Sequence, residues 1–512
     1  MKQDPTVTAA WRLYEAGKEY KRRIGLYETV RRNEKFYRGD QWSAADDGLP
    51  RPVFNIVRRI VDYLIGAVAP KELSVHYTDD RLPYLESTAL RESVSAGLEL
   101  LNRNAAYRFT HSRMDELSGR ALLDAALTGD GIFYCWWDNN CLCGQSFCGD
   151  IRTDLVRSTA FFPADPTLDD VQGQEWLLLS GRAPVEALRR EAEEAGMSRA
   201  EAMKLQPDAE PEDGSFAGGS DGKATYLLLF RREDGFVRCE KSTRTHILRR
   251  FETGLRHYPV ARFHWTPVRD CCHGASPVSE MIPNQRYINA AYAMVMKHMT
   301  DTAFSKVVYD KSRIPEWSNA VGEAIAAMGG GNVADAVSVV GVGKLEAGYL
   351  ELIESVIDNT RSMMSATESA LGDGSAVNTS AILALQQASQ IGLSQVSARF
   401  NRCLGEVAEI WADMLCAYSP QERLLPVAED GGVAAYALDY SRFRNELLHA
   451  TAETGSVDRL TPSATVSLLD RLLDGGYLTV RQYLEHLPDG CLTDRSALLR
   501  DIDEKGKERN DE

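Results

Sequence analysis

The sequence predicts an α+β fold that is mainly helical and has more than one domain. With 512 residues, of which 44% are hydrophobic, the chain exceeds what a single core usually organises. Hydrophobic residues recur at helical spacing over most of the chain but alternate along short segments between residues 132 and 265. Aromatic and charged contents of 8% and 26% are typical of globular proteins and argue against disorder, a collagen-like repeat or a coiled-coil rod.

The charge balance and the cysteines narrow the class of protein. Lys and Arg number 58 against 74 Asp and Glu, and this net charge of -16 disfavours adhesion to nucleic acid through a broad basic surface. Residues 1–8 contain no export signal and no apolar stretch is long enough for a membrane span, so we expect a cytosolic protein. The ten cysteines are spread over a long chain, and we expect most of them to be reduced thiols.

Four helices are predicted in the first part of the chain. The first of these segments is polar and basic, with apolar residues near helical spacing on one face. The second is rich in apolar residues and is followed by Pro70, which ends a helix. The four predicted helices span residues 8–37, 52–69, 86–102 and 113–127.

Strands are predicted next. Residues 132–137 are apolar on both alternating faces and residues 150–156 alternate, which predicts the two buried strands of a hairpin. Residues 206–223 have almost nothing to bury, which predicts a mobile surface loop. Further strands are expected over residues 175–179, 225–230, 235–240 and 259–265, with a helix near residues 185–196.

The second half of the chain is predicted to be helical around one small mixed module. A helix follows Pro283, with Ile288, Ala291, Tyr292, Val295 and Met299 on its packing stripe. The mixed module comprises a strand over residues 306–309, a helix over residues 316–327 and apolar residues at 337–340. Further helices are expected over residues 349–370, from 378 or 379 to 416 with a kink at Gly392, and again after residue 461.

The cysteine clusters are weak candidates for metal binding. Cys141, Cys143 and Cys148 lack paired C-x-x-C spacing and a nearby His, which disfavours zinc. Cys271 and Cys272, followed by His273, cannot easily form a disulfide with each other. We expect them to be ordinary thiols in a loop between a strand and a helix, and we assign no metal site.

No motif of enzymatic chemistry stands out. The sequence from Gly341 to Lys344 ends like a phosphate-binding loop, but Leu345 replaces the required Ser or Thr. Trp136 and Trp137 could stack on nucleic-acid bases, but so apolar a strand favours positions in the core. We therefore assign no catalytic residue and no cofactor.

The chain contains short sequence motifs in a fixed order, and in this it resembles the portal proteins of tailed bacteriophages. The first are Phe36-Tyr37-Arg38-Gly39-Asp40-Gln41-Trp42, Arg51-Pro52, Asn55, Gly129-Asp130-Gly131, Asp165-Pro166 and Gln174-Glu175-Trp176. Those that follow are His264-Trp265, Gly274, Pro283-Asn284-Gln285 with Asn289, Tyr309-Asp310-Lys311, Trp317 and Thr379-Ser380-Ala381. The shared order is the specific signal, and the resemblance covers almost the whole chain.

The resemblance implies a division of the chain into the parts of a portal subunit. Residues 1–275 would form an α+β wing, and residues 441–512 a helical C-terminal crown. Between them would lie the first stem helix (276–304), the clip (305–345), the second stem helix (346–371), the tunnel loop (372–378) and a long helix with its following segment (379–440).

The resemblance also implies a function, that of a non-enzymatic virion component. The subunits would form a ring, usually of twelve, at one capsid vertex, as the channel for packaging and ejecting double-stranded DNA. Its partners would be the terminase, the major capsid and scaffolding proteins and the head–tail adaptor, with assembly in the host bacterial cytoplasm. An acidic chain fits a channel, because each neutralised phosphate would slow the sliding of the duplex.

Two sets of residues carry the implied contacts. The tunnel loop nearest to DNA would consist of Gly372, Asp373, Gly374, Ser375, Ala376, Val377 and Asn378, whose glycines and small side chains leave the bore open. The docking clip would include Tyr309, Asp310, Lys311 and Trp317.

Two alternatives from other classes stay open at this point. A cytosolic enzyme with a divergent active site would be active as a small oligomer and would form no ring with a central pore. Another ring-forming phage connector is the second alternative, although such connectors are usually much shorter. An ordinary helix–helix turn is the simpler interpretation of the loop at Gly372.

Overall fold

The computed structural model describes residues 7–43, 48–70, 73–208, 222–302, 306–318, 324–340, 348–366, 391–419, 423–429, 432–438, 443, 448–454, 462–487 and 498. The described residues contain helices together with antiparallel sheets, which confirms the mixed composition that the sequence predicts. The chain divides into a large unit, residues 1–69 and 75–452, and a small unit, residues 70–74 and 453–512.

The helices within the described residues are α1 (Ala9–Arg23), α2 (Leu26–Arg38), α3 (Ile56–Val68), α4 (Thr88–His111), α5 (Met114–Thr128), α6 (Val185–Glu194), α7 (Arg199–Ala202), α8 (Pro277–Thr302), α9 (Gly348–Met363), α10 (Ser394–Tyr418), α11 (Pro462–Asp474) and α12 (Val480–His486). The strands are β1 (Leu73–Asp79), β2 (Asp130–Leu142), β3 (Cys148–Leu155), β4 (Phe161–Pro163), β5 (Trp176–Pro184), β6 (Lys223–Glu233), β7 (Phe236–Ser242), β8 (Ile247–Glu252), β9 (Val260–His264), β10 (Thr266–Val268), β11 (Cys271–Ala275), β12 (Lys306–Tyr309), β13 (Val337–Val340), β14 (Leu424–Glu429), β15 (Gly432–Ala437) and β16 (Leu448–Thr454).

The predicted first helix over residues 8–37 is wrong in its continuity. The chain forms two helices, α1 and α2, separated at Gly25, whose φ of 70° lies in the left-handed region. Thr8 caps α1 by accepting a hydrogen bond from the Trp11 amide at 3.3 Å. The helical spacing continues across the break, so periodicity alone does not reveal it.

The five-stranded sheet is an antiparallel meander in the order β4-β5-β6-β7-β8. The aromatic side chains of α1 cover one of its faces, with Tyr14 edge-on to Phe162 at a centroid distance of 5.1 Å and Trp11 edge-on to Tyr14 at 5.0 Å. This packing explains why the first helix, although polar overall, has one buried face.

The three-stranded sheet, in the order β3-β2-β9, contains the predicted hairpin of β2 and β3. Helix α10 packs against it, with Phe400 placed 6.4 Å from Phe133 and 5.1 Å from Phe263 between ring centroids. All three rings are fully buried. This aromatic cluster fixes α10 on β2 and β9, which lie much earlier in the chain.

Cys271, Cys272 and His273 lie in strand β11, and not in the predicted loop between a strand and a helix. Strand β11 pairs with β10, a three-residue strand that alternation cannot detect. Other strands that the sequence interpretation missed are β1, β4, β8, β14, β15 and β16.

Helices α8 and α9 flank a small hairpin of β12 and β13. The predicted helix over residues 316–327 is wrong for its described part, because residues 316–318 and 324–327 are not helical. Met299, placed on the packing stripe of α8 by its spacing, is 61% exposed. In α10 the helix begins at Ser394, directly after a turn at Gly392.

The small unit contains α11 and α12. Thr479 and Gln482 form a capping box at the start of α12, and the Tyr483 hydroxyl donates to Asp470 of α11 at 2.7 Å. These contacts set the angle between the two helices.

Candidate functional site

The predicted clip residues lie together on the hairpin between α8 and α9. Strands β12 and β13 pair in the antiparallel register Lys306 to Val340 and Tyr309 to Val337. The Tyr309 and Trp317 rings stack at a centroid distance of 5.3 Å and an interplanar angle of 22°. The two aromatic residues, eight positions apart, therefore form one surface.

Asp310 shapes the turn that follows β12. Its Oδ1 accepts hydrogen bonds from the Ser312 amide at 2.9 Å and from the Ser312 hydroxyl at 2.6 Å. These bonds lower the pKa of Asp310, so the carboxylate is ionised. Lys311 beside it is exposed, and the turn presents one charge of each sign to solvent.

The predicted tunnel loop, residues 372–378, lies outside the described residues, as does the start of the long helix at residues 378–390. The described chain ends on one side of it at residue 366, after α9, and resumes at residue 391, before α10. The loop remains a prediction from the sequence.

Helices α8 and α9 pack against each other through a polar contact, in which Asn284 donates to the Thr360 hydroxyl at 2.9 Å. Large apolar side chains on both helices nevertheless face solvent. Met294 and Met299 of α8 are 63% and 61% exposed, and Met363 of α9 is 71% exposed. Exposed apolar side chains of this size on adjacent helices are typical of surfaces that bind another protein.

Several residues of the quoted sequence motifs form a buried amide network beside α8 and α9. Gln285 of α8 donates to Asn289 at 2.9 Å, and Asn289 donates to Gln41 at 2.7 Å. The Gln285 carbonyl accepts from the Ile56 amide at the start of α3 at 3.0 Å. The network links α8 to the start of α3 and to Gln41, which follows α2.

Residues of other quoted motifs lie around Asp130, the first residue of β2. The Asp130 carboxylate is fully buried and accepts the Gly274 amide at 2.9 Å. Its Oδ1 lies 2.8 Å from His264 Nδ1, and its Oδ2 lies 2.7 Å from His273 Nδ1. His264 Nε2 in turn lies 2.5 Å from Asp169 Oδ1. We call Asp130, Asp169, His264 and His273 the Asp130 network.

The electrostatics of the Asp130 network keep its central carboxylate ionised. Burial opposes this charge, but His273 and His264 hold the pKa of Asp130 well below its ordinary value. Burial also opposes the charge of His264, yet its hydrogen bonds to Asp130 and Asp169 raise its pKa. For His273, burial outweighs Asp130 and lowers the pKa.

The Asp130 network resembles the acid and base pair of a hydrolase only superficially. A catalytic version requires a nucleophile within hydrogen-bonding distance of the imidazole. Cys272 is the adjacent thiol, and burial raises its pKa to about 12, which keeps it protonated. The arrangement is suited to orienting strands β2, β9 and β11, and its residues lie up to 143 positions apart in sequence.

Lys21 of α1 is buried beside this network. Its ammonium group donates to the carbonyl oxygens of Ser158, Thr159 and Phe161 at 2.8, 2.9 and 2.6 Å. Burial lowers the pKa of Lys21, but three carbonyl acceptors suit the three N–H donors of the charged form. Apart from the basic character of the first helix, no feature of the sequence indicates this contact.

The other residues that the sequence singles out, the cysteines and the two adjacent tryptophans, lie apart from the Asp130 network or within ordinary packing contacts. Each cysteine within the described residues is a free thiol, and no group of three or more His, Cys, Asp and Glu side chains there is arranged to hold a metal ion. Trp136 and Trp137, expected in the core, are only partly buried. Trp136 Nε1 donates to Asp154 at 2.6 Å, and Arg423 lies 5.0 Å above the Trp137 ring.

None of the helices within the described ranges has both the length and the apolar character that a bilayer span requires. This finding concerns helices alone.

Comparison with known proteins identifies one family. The family model described as Phage P22-like portal protein matches residues 222–440. No curated protein matches the chain at the significance required of a relative. The matched segment contains α8, the β12–β13 hairpin, α9 and α10. Portal proteins are structural components of the phage capsid, and the predicted resemblance is confirmed: over residues 222–440 this chain is similar to the phage P22-like portal proteins.

Proposed function

We propose that the protein is the subunit of a phage portal ring, the channel through which double-stranded DNA enters and leaves the capsid. The observation that carries this proposal is the order of elements within the family match: helix, clip hairpin, helix, an interval at residues 367–390, and helix α10. A closed ring requires two different surfaces on each subunit that fit each other.

The exposed apolar side chains of α8 and α9 supply such surfaces. On α9, Tyr349, Leu352 and Met363 project from one face and are 57%, 49% and 71% exposed. On α8, Met294 and Met299 are exposed, and methionine adapts its shape to a partner. In the proposed ring, α9 of one subunit packs against α8 of the next and covers both sets.

The clip hairpin is the proposed docking site for the terminase and later for the head–tail adaptor. Its stacked Tyr309 and Trp317 rings and the charges of Asp310 and Lys311 offer one apolar and one polar contact region. Such a mixture suits partners that bind in succession and must also dissociate.

The tunnel loop is proposed to lie nearest to DNA. Residues 372–378 contain two glycines, no Lys and no Arg, so they offer the phosphates no strong attachment. The net charge of -16 supports the same conclusion for the subunit as a whole.

Deleting residues 375–377 tests the role of this loop. The variant should still assemble, because the deletion leaves α8 and α9 intact, but DNA packaging or DNA retention should be impaired. The measurement is the fraction of DNA-filled heads by electron microscopy when the variant replaces the natural subunit. A normal fraction of filled heads would contradict the assignment of the loop.

A further inference from the structure

The outer end of the β2–β3 hairpin carries three thiols, those of Cys141, Cys143 and Cys148. Each of the three is at least partly exposed, whereas Cys135 on the same hairpin is fully buried. A thiol that an oxidant can reach is open to oxidation, while a buried thiol is inert. None of the proposed portal contacts uses this end of the hairpin.

Cys141 and Cys148 lie on the same, solvent-facing side of the hairpin. Burial alternates along β3, where Gly149 and Ile151 are buried while Cys148 and Arg152 are exposed. Because alternate residues of a strand point to the same side, Cys148 and Arg152 face solvent together. Arg152 Nη2 lies 3.3 Å from Cys141 Sγ, so the Cys141 thiol reaches that side as well.

The strand register places these two cysteines at a separation that suits a disulfide. Leu142 lies opposite Cys148, and the pairing is irregular between Asp138 and Leu142. Cα atoms of directly opposite residues are about 4.5–5.5 Å apart, and those of diagonal neighbours two positions away are about 7–8 Å apart. Cys141 is one position from Leu142, so its Cα should lie about 6 Å from that of Cys148. Disulfides span Cα separations of about 4.4–6.8 Å.

Cys143 has a different role, because its thiol donates to the Phe147 carbonyl at 3.1 Å and closes the turn. The Cys141 sulfur instead has the Arg152 guanidinium beside it. The thiolate is the form of cysteine that attacks a disulfide, and a neighbouring cation gives it a counter-charge. Cys141 is therefore the better placed of the two to react first.

We propose that Cys141 and Cys148 form a redox-active dithiol, which closes to a disulfide when the chain meets a low-molecular-weight disulfide. The Cys141 thiolate attacks one sulfur of this oxidant, breaks its S–S bond and releases one thiolate. The Cys148 thiolate then attacks Cys141 Sγ in the mixed disulfide and releases the second thiolate. The protein loses two thiol protons and two electrons, and the oxidant becomes two thiols.

The cross-link would act on a contact between the hairpin and β14. The Gln145 side chain in the turn donates to the Leu424 carbonyl at 3.0 Å and accepts from the Leu424 amide at 2.8 Å. A bond between Cys141 and Cys148 closes the loop that carries Gln145 and restricts its movement. A reducing cytosol keeps the thiols open, whereas a particle outside the cell meets oxidants. This timing rests on the proposed function, but disulfide formation itself does not.

The test uses the purified full-length chain, treated with oxidised glutathione under native conditions and then blocked with N-ethylmaleimide. Chymotrypsin cleaves after Leu142 and Phe147, so it places Cys141, Cys143 and Cys148 on separate peptides. Mass spectrometry should find the Cys141 and Cys148 peptides joined and Cys143 carrying maleimide.

Three variants separate the roles of these residues. Cys148→Ser removes the second attacking thiol, so Cys141 should keep a glutathione adduct instead. Cys143→Ser is the matched control and should leave the link between Cys141 and Cys148 unchanged. In the Cys148→Ser background, Arg152→Gln should slow adduct formation at least about threefold, because the thiolate loses its counter-charge. Arg113→Gln, at a side chain that is 82% exposed on α5, is its control and should change the rate less than about 1.5-fold.

Three results would overturn the proposal. One is that Cys141 and Cys148 both carry maleimide after treatment with oxidised glutathione. Another is a joined pair of peptides that includes Cys143. The third is an unchanged rate of adduct formation in Arg152→Gln. Cys135 should remain free of both reagents, which shows that the chain stayed folded. The disulfide is measured within single chains, so a failure to form rings would contradict the proposed function and leave this proposal standing.

Discussion

Asp130 receives hydrogen bonds from two imidazoles and one amide in a site with no access to water. Removing one partner from a buried charged network costs about 3–5 kcal/mol, because the other charged groups lose their compensation. We therefore expect Asp130→Asn to lower the free energy of unfolding by about this amount, as measured by urea denaturation. Asp270→Asn is the control, since Asp270 is exposed on a turn and should cost less than about 0.5 kcal/mol. Equal stability of the two variants would contradict the structural role of Asp130.

The two histidines of the Asp130 network should respond to pH in opposite directions. Both have an ordinary value of 6.5 in the unfolded chain. The raised pKa of folded His264 stabilises the protein below that value, and this stabilisation disappears as the pH rises through the folded pKa. The lowered pKa of folded His273 means that acidification below 6.5 destabilises the protein, because the unfolded chain then binds a proton that the folded chain rejects.

Unfolding titrations of His264→Asn and His273→Asn test these signs. The stability difference between wild type and His264→Asn should shrink as the pH rises above 6.5. The difference between wild type and His273→Asn should shrink as the pH falls below 6.5. The opposite slopes serve as controls for each other, and slopes of the same sign would contradict the assigned protonation states.

The sequence alone could single out some residues of the Asp130 network but could not predict that they contact one another. Asp130 and His264 belong to motifs that carry the resemblance to portal proteins. His273 attracts notice in the sequence only because it follows Cys271 and Cys272. Side chains separated by 134 and 143 positions meet only because β2 pairs with β9 and β11 lies beside them. Hydrophobic periodicity carries no information on such pairings.

At the scale of elements, the turn from α5 into β2 requires Gly129. Its φ is 100°, and an added Cβ would lie 2.0 Å from the Gly274 carbonyl oxygen. Gly25, between α1 and α2, also has positive φ but has open space around it. Gly25→Ala should cost about 1–2 kcal/mol from backbone strain alone, and Gly129→Ala should cost clearly more by thermal or urea unfolding. A smaller loss for Gly129→Ala would show that β2 and β11 are not held as closely as described.

The exposed methionines of α8 allow assembly to be tested separately from folding. Met294→Asp with Met299→Asp should leave monomer stability within about 0.5 kcal/mol, because both side chains are already in water. Burying the new carboxylates in a subunit interface would be unfavourable, so the variant should fail to form closed rings by size-exclusion chromatography with light scattering. Thr300→Asp on the same helix is the control. Ring formation by the methionine double variant would remove α8 from the proposed interface.

Long elements with strong periodicity were predictable, whereas short ones were not. Helices α3, α5 and α8 and the β2–β3 hairpin lie close to their predicted positions. The three-residue strands β4 and β10 offer too few positions for alternation to be recognised. Residues 316–318 and 324–327, where a helix is expected, are not helical, and Trp317 stacks on Tyr309 in a tertiary contact that overrides local propensity.

At the scale of the whole molecule, the order of parts carried more information than any single motif. Several of the motifs quoted from the sequence contribute to two buried networks, one around Asp130 and one around Gln285, and the predicted clip residues lie on the β12–β13 hairpin. The family match over residues 222–440 agrees with that order. The sequence could therefore predict the class of protein, while the Asp130 network required the structure, because its four side chains come from four separate segments of the chain.

Ring closure is the central claim of this account. The most direct measurement is the mass of the purified protein in solution together with negative-stain images of the same sample. Rings with a central hole and a mass of many subunits, on the order of twelve, are the predicted result. A compact monomer or dimer at all protein concentrations would contradict the portal ring and return the divergent enzyme to first place.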